Sequence, residues 1–268
     1  MRLATFRKWN TERAGLVTKS GILPLTALGA RAGFEPEGEI FALIEKEQLE
    51  PLTEWYNKGG KTEAEALAEK EAIPYGDVIY GPLYRNPPRI FGIGLNYKDH
   101  AGDLGEKTPA VFPGSFYKPA SCIVGPGDEI RIPALPEAQK TTAEAELGVI
   151  IGKKCKFIAE KDWQEYVAGY TTILDMTEES ILRLNPRYLT IVKGFDTFFS
   201  FGPQLVTPDE IPDVSALEVA TVHNGSVHAK NSVANMTFSP ARLVALISHM
   251  QGWLPGDILS TGTPRAVH

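Results

Sequence analysis

The sequence predicts a mainly β protein with some α, arranged as a small α+β N-terminal unit ahead of a larger strand-rich one. Three features carry that expectation. Short apolar, often β-branched segments recur from residue 89 onward, the pattern of strands bounded by turn residues. Only one strongly signalled helix accompanies them. Between Ile73 and Arg89 the chain is punctuated by Pro74, Gly76, Gly81, Pro82, Pro87 and Pro88, which break both regular periods and place a boundary near residue 85. The expected units are therefore 1–85 and 86–268.

Taken in order, Met1–Trp9 and Gly15–Leu25 flank the polar turn Asn10–Gly15 and predict an antiparallel pair. Glu39–Glu50 places Ile40, Leu43 and Ile44 at helical spacing and stops before Pro51, because the residue ahead of a proline avoids the helical region. Lys61–Ala72 is rich in Ala, Glu and Lys with little apolar face, which suits a surface helix or linker. In the larger unit strands are expected over Ile90–Gly94, Ser115–Lys118, Glu129–Ile132, Ala145–Ile151, Tyr166–Asp175, Leu217–His223 and Asp257–Thr261. Ser239 caps a helix there, Pro240 fits its first turn, and Leu243, Leu246, Ile247 and Met250 share one face, so this helix covers a sheet.

Composition excludes several classes. The 27 Lys+Arg against 33 Asp+Glu leave a formal charge of −6, with no basic block, which argues against affinity built on nucleic-acid phosphates or an anionic membrane. No apolar run approaches the roughly 20 residues of a membrane span, and the first residues lack the apolar core of a secretory signal; a soluble cytoplasmic protein is expected. Cys122 and Cys155 are the only cysteines, too few for a disulfide scaffold or a thiolate zinc site. Gly60-Lys61-Thr62 resembles the end of a phosphate loop, but Trp55 stands where its first glycine is required, and Gly92 and Gly94 open a dinucleotide fingerprint that fails at Tyr97. The histidines, His100, His223, His228, His249 and His268, never take the i, i+4 zinc-protease spacing, and no Gly-x-Ser-x-Gly elbow occurs.

The chemistry concentrates in Thr142–Gly152, where Glu144 and Glu146 lie two apart and a strand would put both carboxylates on one face. The run that follows, Leu147–Ile151, is apolar on both faces, so the strand enters a core with two carboxylates at its mouth that repel each other and lose hydration. A divalent cation resolves that conflict; a solvated strand end is the alternative. Asp175 closes the apolar segment Tyr166–Leu174, and Thr177, Glu178 and Glu179 follow it like a helix start, so Asp175 sits where a strand delivers a side chain to a rim or where it caps a turn. Three carboxylates without Cys or His make a hard site suited to Mg²⁺, Mn²⁺ or Ca²⁺, with positions left for water and a bidentate oxygen ligand.

From about Arg89 to Val267 the chain resembles the fumarylacetoacetate hydrolase family. Gly94-Leu-Asn-Tyr-Lys-Asp-His100 is similar to that family's G-x-N-Y-x-x-H segment, Phe116-Tyr-Lys-Pro119 to its F-x-K-P and Glu144-Ala-Glu146-Leu-Gly to its E-x-E-L-G. Leu174-Asp175-Met-Thr177, Lys193-Gly-Phe-Asp196-Thr and Pro255-Gly-Asp-Ile-Leu-Ser-Thr-Gly-Thr263-Pro complete the set in the family's order.

The resemblance implies a mixed β-sandwich or roll, usually dimeric, with a small N-terminal domain in some branches. By matching position it makes Glu144, Glu146 and Asp175 ligands of Mg²⁺ or Mn²⁺, the metal chelating the dioxygen face of a keto acid and stabilising the enolate formed as a carbon–carbon bond breaks. Lys193 would stand beside that enolate or the substrate carboxylate. His100, with Asp103 in place of the family's usual Glu, would be the base that takes a proton from water. Thr263, the backbone at Gly262 and Tyr97 of the first motif are the implied substrate contacts. One departure is plain: many members have Arg and then Asp shortly after the third ligand, where this chain has Glu179 and Ser180, which leaves Arg183 or Arg187 as substitutes. The expectation is a homodimeric, Mg²⁺- or Mn²⁺-dependent hydrolase of a small acylpyruvate or other β-diketo acid. A decarboxylase, hydratase or keto-enol isomerase on the same site, and a non-catalytic metal- or keto-acid-binding protein, stay open beside it.

Overall fold

A computed structural model describes residues 1–97, 109 and 111–264. Strand β1 (Arg2–Lys8) turns at Trp9 and Asn10, with φ of 53° and 58°, into β2 (Thr11–Val17). Two successive left-handed residues give a two-residue hairpin whose twist matches its strands. The turn is thus shorter than the Asn10–Gly15 read from sequence, and the polar Thr11–Arg13 belong to the partly exposed end of β2. Strand β3 (Ile22–Pro24) precedes helices α1 (Ile40–Glu45), α2 (Leu49–Trp55) and α3 (Lys61–Glu71). The single helix expected over Glu39–Glu50 is two. Glu47 takes φ 55° just after α1, and Pro51 falls in the first turn of α2, where its missing N–H costs nothing. Helix α3 buries Ala64 and Ala68, so its small residues pack instead of forming a free linker.

The rest of the chain supplies β4 (Ile90–Gly94), β5 (Gly114–Lys118), β6 (Ile123–Val124), β7 (Thr141–Ile151), β8 (Val167–Glu178), α4 (Glu179–Leu184) and α5 (Leu189–Lys193). Then come β9 (Phe199–Phe201), β10 (Gln204–Val206), β11 (Glu218–His223), β12 (Ser226–Ser232), α6 (Pro240–Met250) and β13 (Ile258–Ser260). Glu129–Ile132, expected as a strand, has no regular structure, and Ile132 is exposed; Pro126 and Pro133 flank it and deny it ladder donors. The two central strands exceed expectation. Pairing continues from Ile151 to Thr141↔Glu178, so β7 starts before its glutamates and β8 runs past Asp175, cross-strand partners outweighing the poor strand propensity of acidic residues.

One sheet runs β3-β2-β1-β10-β8-β7-β13-β4-β5, with β9 beside β8 and β6 beside β9, while β11 and β12 form a separate hairpin. The first 85 residues add three strands to this sheet through Arg2↔Val206, Leu3↔Leu205 and Ala4↔Gln204. Their Leu3, Leu16, Leu43 and Leu52 join one buried cluster with Ile90, Ile150, Ile173 and Ile258. Val149, Phe91 and Leu259 enter a second cluster with Leu243, Val244 and Ile247 of α6. Neighbouring residues such as Val149 and Ile150 therefore serve opposite faces, which is why these strands read as unbroken apolar runs. Helix α6 starts as expected, the Ser239 side chain accepting from the Arg242 N–H. No helix among the described residues is long and apolar enough to cross a membrane.

Arg7 on β1 also clamps Asp128, ahead of β7, through hydrogen bonds of 2.6 and 2.7 Å. The guanidinium holds the Asp128 carboxyl below its ordinary value of 3.8, so the stabilisation is present above that value and lost as pH falls through the lower folded one. The pair is partly solvated and contributes about 1 kcal/mol. Asp128→Asn is therefore expected to lower Tm by roughly 2–4 °C at neutral pH, and thermal melts below about pH 4 should show the gap closing.

Candidate metal centre

Strands β7 and β8 put Glu144 directly opposite Asp175, and Glu146, two residues on, shares their face. All three are buried, and one oxygen from each lies within 4.8 Å of the others. Lys193, the last residue of α5, donates to Glu144 Oε2 at 2.7 Å and to Asp175 Oδ2 at 2.5 Å. Lys118, the last residue of β5, donates to Asp175 Oδ1 at 2.6 Å and to the Met176 carbonyl at 3.2 Å. Neutral donors orient the remaining oxygens: Thr177 Oγ1 gives to Glu144 Oε1 at 3.1 Å, and Ser260 Oγ and the Gly262 N–H give to Glu146 Oε2 at 2.5 and 2.8 Å.

Charge is crowded here. Burial, then the Asp175 charge, push the Glu146 carboxyl up to about 8. Burial by itself would lower Lys193, but Asp175 and Glu144 outweigh it and raise the ammonium above its ordinary value. Burial dominates at Lys118 and lowers it. Three converging carboxylates, with no nitrogen or sulfur donor grouped with them among the described residues, fit a hard divalent ion such as Mg²⁺, Mn²⁺ or Ca²⁺, and the hydroxyl and amide donors behind them would be the outer partners that fix such ligands.

Two of the other residues singled out from sequence, Tyr97 and Gly262, lie beside Glu146. Tyr97 is fully buried and its hydroxyl has no hydrogen-bond partner among the described residues; burial and the Glu146 charge raise it above its ordinary value. Gly262 sits at φ 97°, and a Cβ there would lie 2.9 Å from Asn96 Cβ and 3.1 Å from the Ile93 carbonyl, so only glycine lets its N–H reach Glu146. Thr263 follows, buried. His100 and Asp103 lie outside the described residues. Arg183 donates to Glu179, which also pairs with Lys140 at 2.8 Å, so the Arg183 guanidinium is engaged within α4; Arg187 is exposed, its backbone N–H donating to the Asn185 side chain.

Sequence reasoning missed three contributors. Lys118 was visible only as a motif letter, although a lysine between aromatic residues and a proline is an odd surface residue. Phe116, whose ring lies 4.5 Å from Lys193 Nζ, was likewise visible only as the first letter of that motif and as a strand residue. Asn96 gives its amide to the Phe238 and Thr261 carbonyls at 3.0 and 2.8 Å and accepts from the Phe238 N–H at 2.8 Å. It staples the loop after β4 to the segment that carries Gly262, a role that its place as a motif letter does not announce.

Fold and site together define a β-rich scaffold carrying a buried three-carboxylate centre. Residues 89–268 match the model of the fumarylacetoacetate (FAA) hydrolase C-terminal domain, and the chain belongs to that family. A Burkholderia cenocepacia (strain HI2424) protein, assigned only provisionally as a hydrolase, is 40% identical over 196 residues, covering 69% of this chain and 68% of its own. Maleylpyruvate hydrolase from Sphingobium sp. SYK-6, solved with manganese(II) and pyruvate, superposes with a TM-score of 0.75 at 29% identity over 100% of this chain and 90% of its own. A 5-carboxymethyl-2-hydroxymuconate delta-isomerase from Mycobacterium smegmatis gives a TM-score of 0.62 at 32% identity, over 72% of this chain and 73% of its own. Hydrolase and isomerase are thus the two kinds of enzyme among these relatives.

Proposed function

We propose that the protein is a hydrolase that cleaves a carbon–carbon bond in a small acylpyruvate or other β-diketo acid, with Mg²⁺ or Mn²⁺ held by Glu144, Glu146 and Asp175. The observation that carries this reading is the meeting of three buried carboxylates within 4.8 Å on one face of β7 and β8. The manganese and pyruvate in the Sphingobium relative support it. A bound divalent ion supplies Lewis acidity for the keto-enol oxygens.

The remaining work falls to the chain's own groups. The Tyr97 hydroxyl, a buried donor without a partner among the described residues, gives its hydrogen bond to a substrate oxygen, which removes the cost of leaving it unpaired. Thr263 and the Gly262 backbone receive the substrate carboxylate. His100, oriented by Asp103, takes a proton from the water that attacks the distal carbonyl. Collapse of the resulting tetrahedral centre breaks the carbon–carbon bond and leaves its electron pair on the pyruvate enolate, where Lys193 holds a fixed positive charge. Protonation of the enolate carbon releases pyruvate and a carboxylic acid. The same reading makes the protein a cytoplasmic homodimer acting on a free keto acid.

The similarity to the M. smegmatis isomerase favours a second reading, a decarboxylase, hydratase or keto-enol isomerase that shares the enolate but needs no hydrolytic water. Product analysis with acylpyruvates, oxaloacetate and 2-oxo-enoic diacids in ¹⁸O-labelled water separates the two. Hydrolysis predicts labelled carboxylic acid plus pyruvate, and a loss of about 10²–10⁴-fold in His100→Ala. An isomer, a hydrated diacid or carbon dioxide in place of the two cleavage products, or full turnover in His100→Ala, would move the assignment to the second reading.

A further inference from the structure

Lys118 takes no part in the chemistry proposed above, yet its side chain is wholly buried against Asp175. In the sheet order β5 stands four positions from β8, so Lys118 reaches Asp175 across the face of the sheet and not from a neighbouring strand. Its ammonium is held at two points, Asp175 Oδ1 and the Met176 carbonyl. It also lies 5.9 Å from the ring of Phe199, the residue paired with Asp175 on β9. Lys193 is different in kind. It bridges two of the three carboxylates, so any cation gathered by those groups competes with it, whereas the second partner of Lys118 is a main-chain carbonyl that stays in place. A buried ion pair adds little net stability over apolar residues of the same volume, so stability by itself is a poor reason for a lysine at this position.

We propose that Lys118 is a positioning residue for Asp175: by holding Oδ1 it fixes the carboxylate plane and leaves Oδ2, which among the described residues only the displaceable Lys193 shares, as the oxygen offered to a divalent ion. This rests on the metal reading given under Proposed function. Without Lys118 the carboxylate can turn about its last bond and present either oxygen or both, which changes how an ion is held as well as how tightly.

The test is Mn²⁺ titration of the metal-stripped full chain, by calorimetry and by electron paramagnetic resonance, for wild type, Lys118→Met and Lys118→Gln. The glutamine is too short to reach Oδ1 but keeps a polar group, so either folded variant decides the question; thermal melts without metal establish which is folded. Weakening of Mn²⁺ binding by about 10–100-fold, together with a changed Mn²⁺ spectrum, is the expected result, and a role confined to holding the fold would leave the spectrum unchanged. A folded variant that binds Mn²⁺ with wild-type affinity and spectrum overturns the proposal while sparing the metal reading. Wild type that binds no Mn²⁺ overturns both, so the two failures are told apart.

Discussion

Glu146→Gln is expected to remove Mn²⁺ binding and turnover while leaving the metal-free fold intact. Glu146 is held by two neutral donors, Ser260 Oγ and the Gly262 N–H, and a glutamine side-chain oxygen can accept from both. Burial, then the Asp175 charge, hold its carboxyl up at about 8, so folding at neutral pH carries the cost of keeping an acid protonated that a glutamine does not have, and the metal-stripped variant should melt at or above the wild-type temperature. Its Mn²⁺ affinity should fall by more than the roughly 10–100-fold that an outer partner costs, because a ligand charge itself is gone. Asp175→Asn is the contrast. It leaves Lys118 and Lys193 buried without their shared counter-charge, and breaking a buried pair from one side costs about 3–5 kcal/mol. Calorimetric Mn²⁺ titration and melts of the stripped proteins check both; a Glu146→Gln protein that melts well below wild type, or binds Mn²⁺ unchanged, would contradict this account of the centre.

Lys193→Met should cost turnover about 10²–10³-fold, the usual loss when one preorganised stabiliser of a developing anion is removed. Methionine can lie against the Phe116 ring as the lysine does, so the packing survives. What does not survive is the charge that balances Glu144 and Asp175. The variant should therefore gain more in Tm from added Mn²⁺ than wild type does, since an ion that binds only the folded state stabilises it and here would replace a missing counter-charge. Steady-state kinetics at saturating Mn²⁺ and melts with and without the ion test the two halves; turnover within a few-fold of wild type would remove Lys193 from the chemistry.

Much of this was legible because period-2 geometry is strict. Two glutamates separated by one residue must share a face in a strand, and the structure places Glu144 and Glu146 on one face and brings Asp175 opposite Glu144. Strand ends were less legible: Asp175 reads like a rim residue because acidic residues rarely continue a strand, and only the pairing partner, Thr141↔Glu178, extends β8 beyond it. The split between α1 and α2 was hidden for a similar reason, since Pro51 signals a stop as readily as a start. Contacts made across the sheet were out of reach altogether. Lys118 is 57 positions from Asp175 and Asn96 is 142 from Phe238, and no local pattern encodes separations of that size.

The most direct test of the central claim is to add Mg²⁺ or Mn²⁺ back to metal-stripped protein while following turnover of acylpyruvates and oxaloacetate, with Glu146→Ala alongside. The account predicts saturable, metal-dependent release of pyruvate from an acylpyruvate that the variant loses. Full turnover by the stripped protein, or equal activity in Glu146→Ala, would contradict the assignment of Glu144, Glu146 and Asp175 as a catalytic metal centre.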